Sequence, residues 1–87
     1  MLTLFEVYLT DETDPDALLS EEVIRETNAQ VMTPEHAAKV GFGGLPAPAL
    51  PGKRIFIAVI ARDAPFIQRR LEGHAGATNF KIHHVDG

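Results

Sequence analysis

The sequence predicts an α+β sandwich in the order strand, helix, strand, strand, helix, strand, with a short extra helix after the first helix. Three observations point there. Arg54 and Arg62 bracket the apolar run Ile55 to Ala61, which is too short for an ordinary buried helix and rich in β-branched residues, so it reads as an interior strand. Asp14-Pro15 and Thr33-Pro34 each offer a capping residue followed by proline, the start signal of a helix. Pro46 and Pro48 are two residues apart, so in an extended segment their missing N–H groups lie on one side, as an edge strand tolerates.

Leu2 to Leu9 alternates as a strand, with Thr3, Phe5, Val7 and Leu9 on one face and Leu2, Leu4, Glu6 and Tyr8 on the other. Residues 10–14 lead to a helix from Pro15 or Ser20 to Val31, along which Leu19, Val23, Ile24, Thr27 and Val31 recur at helical spacing. Acids crowd its first turns, where the helix dipole favours them. Thr33-Pro34 opens a short second helix over Glu35 to Val40, ended by Gly41 and Phe42. Residues 44–50 read either as an edge strand or as an ordered proline-rich loop, and Pro51-Gly52 suits a type II turn into the strand that starts at Lys53. Asp63 can cap a helix over Ala64 to Glu72, with Phe66, Ile67 and Leu71 on its apolar face and Gly73 at its end. The loop His74 to Asn79 leads to a last strand, Phe80 to Val85.

This order is the split β-α-β arrangement of a ferredoxin-like sandwich, in which the second strand is an edge and the third lies inside the sheet. Phe5, Val7 and Leu9 with Phe80 and Ile82 would supply the helix-covered face. The opposite face would receive Leu4, Glu6 and Tyr8 from the first strand and Lys81, His83 and Val85 from the last. The 87 residues make one domain, and a chain of that length buries only about 60–65% of its unfolded surface alone. Cysteine is absent, which excludes disulfides and thiol chemistry. The expectation is therefore that another copy covers the second face sheet to sheet, in a homodimer or larger assembly, with room for a small apolar ligand. In element order, and in the final strand ending Val85-Asp86-Gly87, the chain resembles the dimeric α/β-barrel superfamily, which includes muconolactone isomerase-like and antibiotic-biosynthesis monooxygenase-like proteins. The resemblance implies ferredoxin-like subunits paired sheet to sheet. It carries over no catalytic residue, because no motif matches position by position.

Glu6 and His83 are the candidate catalytic residues, Glu6 as a general base whose pKa rises if an interface buries it. The plainer reading pairs Glu6 with a base such as Lys81. Tyr8 and Lys81 are the candidate ligand-binding residues, the first orienting a ligand through its hydroxyl and the second holding an anionic group. His83 and His84 are adjacent, so a strand points them to opposite faces and they cannot chelate one ion together. His84 with Asp86, and His74 in the preceding loop, form a candidate histidine-carboxylate metal site, with a fraying polar chain end as the alternative. Gly41-Phe42-Gly43-Gly44 follows a helix rather than a strand and is no phosphate loop, and no cofactor motif is present.

Residues 1–30 hold eight acids against Arg25, and residues 31–87 hold seven bases against four acids, for a net charge of −4. The bases are scattered and carry no aromatic-basic motif, so no nucleic-acid partner is expected. No stretch reaches the ~20 apolar residues of a membrane span and the N-terminus lacks a basic leader, so a cytoplasmic location is expected. Three functions remain open: a non-catalytic self-associating domain that binds a small molecule or a protein, a cofactor-free isomerase or monooxygenase acting on a small apolar acid, and a metal-binding protein.

Overall fold

The computed structural model describes residues 2–39 and 52–85, His84 and Val85 by their backbone alone. Strands β1 (Leu2–Leu9), β2 (Gln30–Met32), β3 (Lys53–Ile60) and β4 (Ala77–Val85) form one antiparallel sheet in the order β2-β3-β1-β4. Helices α1 (Glu21–Thr27), α2 (Pro34–Lys39) and α3 (Ala64–Glu72) connect them. This α+β arrangement is compatible with a ferredoxin-like fold. In the ladder Phe5 opposes Ile57 and Ile82, while Leu4 opposes Ala58 and His83. The period of two then sends odd positions of β1 and β3 to one face and even positions to the other.

The odd face is the main core. Phe5, Val7, Ile57 and Val59 pack with Val23 of α1 and with Ile67 and Leu71 of α3. Phe80 meets Phe5 edge to face, ring centroids 6.1 Å apart. Ile82, expected in this layer, is 39% exposed, because β4 is the outermost strand there. The bounds of α3 are those the sequence predicts, but Asp63 does not cap it through its side chain. A 3-10 turn over Ala61–Asp63 runs directly into the helix, Asp63 has helical φ and ψ, and its carboxylate turns to Arg62 at 3.5 Å.

The first helix departs from expectation. Asp14-Pro15 opens only a 3-10 turn, Pro15–Ala17, and Ser20 caps α1 itself by accepting from the Val23 N–H at 3.3 Å. The helix stops at Thr27 rather than Val31, because Asn28 adopts a left-handed backbone with φ 56°. Residues 30–32 then become β2, which pairs Gln30, Val31 and Met32 with Ala58, Ile57 and Phe56. Val31 was legible as apolar, but its spacing serves a helix and a strand alike. Among the described strands β2 is an edge and β3 is interior. The short helix lies between β2 and β3 rather than directly after α1. Thr33 starts it as predicted, its hydroxyl accepting from the His36 N–H at 3.2 Å. The segment 44–50 lies outside the described residues. Gly52 has φ +104°, a backbone that glycine adopts without steric cost, and the rest of the expected Pro51-Gly52 turn lies outside the described residues. Strand β4 begins at Ala77, three residues earlier than predicted.

The even face holds a second apolar cluster of Leu4, Phe56, Ala58, Met32 and Ala37, the last from α2. The sequence leads one to expect that this flank needs another copy for cover. Leu4, Glu6, Tyr8 and Phe56 are all buried within one chain, each 1% exposed or less. Among the described residues no helix is long and apolar enough to cross a membrane.

Candidate functional site

The even row of β1 places Glu6 between Leu4 and Tyr8 on this second face, and burial leaves it 1% exposed. A carboxylate so placed needs donors, since an unpaired buried charge costs several kcal/mol even after relaxation. Three strands supply them. The Tyr8 hydroxyl of β1 donates to Oε2 at 2.5 Å. Arg54 of β3 donates from Nη1 to the same oxygen at 3.2 Å. His83 of β4 lies with Nε2 2.9 Å from Oε1.

Local geometry explains the convergence. Tyr8 opposes Arg54 across the β1–β3 ladder, and Leu4 opposes His83 across β1–β4, so both groups reach Glu6 on a diagonal. The Arg54 guanidinium also lies over the Phe56 ring at 5.0 Å, which fixes its orientation. Burial alone would push the Glu6 carboxyl up, but the hydrogen bonds from Tyr8, His83 and Arg54 together outweigh it and hold it below the ordinary value. The sequence leads one to expect a raised pKa if an interface buries Glu6; here a single chain buries it, and the three donors reverse the direction.

An ionised carboxylate only accepts, so Nε2 of His83 carries the proton in this pair. Nδ1 is then a lone-pair acceptor in the neutral ring and a second donor in the imidazolium. The His83 side chain is 33% exposed and that of Arg54 12%, so His83 is the principal route from solvent to the buried carboxylate.

The structure therefore brings Glu6, Tyr8 and His83 together. Lys81 stands opposite Glu6 in the ladder, yet its exposed side chain makes no ion pair among the described residues, and Arg54 takes the role expected of it. Arg54 reads in the sequence as a charge at the end of a strand. Its even position, shared with Phe56 and Ala58, was the available signal. His74 Nδ1 accepts from the Gly76 N–H at 3.0 Å and shapes the turn before β4. The His84 side chain and Asp86 lie outside the described residues, and among the described residues no cluster of three metal-ligating side chains exists. Two shallow depressions, about 240 and 490 Å³, lie near Pro15, Thr33 and Ile55 toward the β2 edge of the sheet, opposite the β4 edge that carries His83, and Arg54 also lines the larger.

No protein-family model matches the chain, and no curated protein matches it significantly. What fold and site define is a small α+β domain with a four-stranded antiparallel sheet and a carboxylate-centred polar cluster on one face.

Proposed function

We propose that the chain is a ferredoxin-like domain that binds a small molecule without catalysis, on the β4 side of the Glu6 face. The observation that carries this reading is the half-exposed His83 held at 2.9 Å by a buried carboxylate that also takes Tyr8 and Arg54. A network that only filled the core would have no need of an accessible member. This one ends in an oriented imidazole at the surface, the kind of convergent polar group that fixes a ligand beside apolar surroundings. The test is a titration of the isotope-labelled chain with a panel of anionic, neutral and cationic fragments, followed by amide and imidazole resonances. Saturable shifts centred on Leu4, Lys81 and His83 are expected; a panel that moves none of them overturns the reading.

The Glu6–His83 pair also favours a second reading, a cofactor-free proton-transfer enzyme of isomerase or monooxygenase type. The carboxylate would hold the ring and support the imidazolium, and Nδ1 would exchange a proton with a small acid. Self-association belongs to the same proposal. Its support is the small size of the domain and the exposed apolar side chains of Leu2, Ile60, Phe66 and Ile82. Light scattering at micromolar concentration is expected to give a multiple of the 9.5 kDa chain mass, and a value of one chain would contradict it.

A further inference from the structure

Along β4 the alternation sends Asn79, Lys81 and His83 to the Glu6 face; the first two are exposed and His83 is half-exposed. Glu6 engages Nε2 of His83, and Nδ1 has no partner among the described residues. The Lys81 ammonium likewise has no ion pair among them. Glu6 does not present a bare negative charge to this row, because Arg54 lies 3.2 Å from it. The accessible charge beside the cluster is therefore cationic.

An apolar patch adjoins that charge. Leu2 and Ile60 oppose one another in the β1–β3 ladder on this same face, 36% and 44% exposed. Leu2 is two positions along β1 from Leu4, and Leu4 is the ladder partner of His83. With strands ~4.8 Å apart and a rise of ~3.4 Å per residue, the patch begins about 8 Å from the His83 backbone. Lys81 lies ~7 Å from His83 along β4, on the side away from the patch.

We propose that this face takes a small monocarboxylate with a short apolar body, the carboxylate between Lys81 Nζ and the outer edge of the His83 ring, the body on Leu2 and Ile60. The inference rests on the ligand-binding reading above and narrows it to one charge and one size. Charge complementarity selects the anion, and the 8 Å spacing admits a single ring or a chain of a few methylenes. Glu6 acts beneath the ligand, accepting from Nε2 so that Nδ1 is aimed outward.

Benzoate and the isosteric neutral benzamide are the probes, titrated into the labelled wild type and into Lys81→Met. Benzoate is expected to give saturable shifts at Leu2, Ile60, Lys81 and the His83 ring, and to bind about tenfold more tightly than benzamide. Lys81→Met is expected to remove most of that preference while leaving the urea midpoint unchanged, since the side chain is exposed. Equal affinity for the two probes overturns the carboxylate assignment and leaves the ligand-binding reading standing. Benzoate shifts centred elsewhere, or an undiminished preference in Lys81→Met, overturn the placement. Silence from both probes overturns the monocarboxylate, and the ligand-binding reading falls with it only if the wider fragment panel is silent too.

Discussion

Replacing Glu6 with Gln keeps the shape of the side chain and removes the charge on which three strands converge. Oε2 takes two donors, from Tyr8 and Arg54, and Oε1 takes His83. The carboxamide offers one oxygen and one NH2, so if the oxygen stays with Tyr8 and Arg54, the NH2 meets Nε2 of His83. The ring can relieve that clash by moving its proton to Nδ1. The remaining loss is the change from charge-assisted to neutral acceptor for a guanidinium and a hydroxyl in a site 1% exposed. Breaking a buried ion pair from one side costs about 3–5 kcal/mol, and the adaptable His83 puts this case at about 3 kcal/mol. For a domain of this size that lowers the melting temperature by roughly 12–24 °C. Urea unfolding followed by circular dichroism reads the change, and a double-mutant cycle with Arg54→Met should give a coupling of about 1–3 kcal/mol. A Glu6→Gln variant within about 0.5 kcal/mol of wild type would refute the reasoning, because the carboxylate would then be no hub.

The same group sets an acid response. Its folded-state pKa is depressed, so its contribution is fully present above the unfolded-state value and is lost as pH falls through the folded one. The wild-type urea midpoint should therefore fall more steeply than that of Glu6→Gln below the ordinary carboxylate range, and parallel acid limbs would contradict this. Thr3 is 1% exposed with an Oγ1 that has no hydrogen-bond partner among the described residues, so Thr3→Val should stabilise by about 1 kcal/mol in urea unfolding; destabilisation would show that the hydroxyl has a partner. Val59→Asp places an unpaired carboxylate among the side chains under α1 and α3, and should abolish the cooperative melting transition; an unchanged melting curve would contradict the assignment of that face to the core.

The strands legible in the sequence were those whose alternation has one solution. Leu2 to Leu9 can bury Phe5 and Val7 together only as a strand, and the run from Ile55 is too short and too branched for a helix. Val31 was ambiguous because three residues of β2 cannot show a period of two against the helical spacing that precedes them. The deciding residue is Asn28, whose left-handed backbone ends α1, and asparagine signals that stop less plainly than glycine does. At the site, Glu6, Tyr8 and His83 were recognisable as polar residues on an apolar-patterned face. Their meeting depends on the diagonal register of three strands, and Arg54 enters only through its place opposite Tyr8 in that register. That is long-range geometry, which local spacing does not encode.

The account rests on a buried carboxylate fixing the His83 ring. Nitrogen-15 NMR of the imidazole, recorded at a pH where the ring is neutral, reads this directly. The proton is predicted to reside on Nε2, with Nδ1 bare, and to shift toward Nδ1 in Glu6→Gln. A wild-type ring protonated on Nδ1, or one averaging freely between its two tautomers, would contradict the claim.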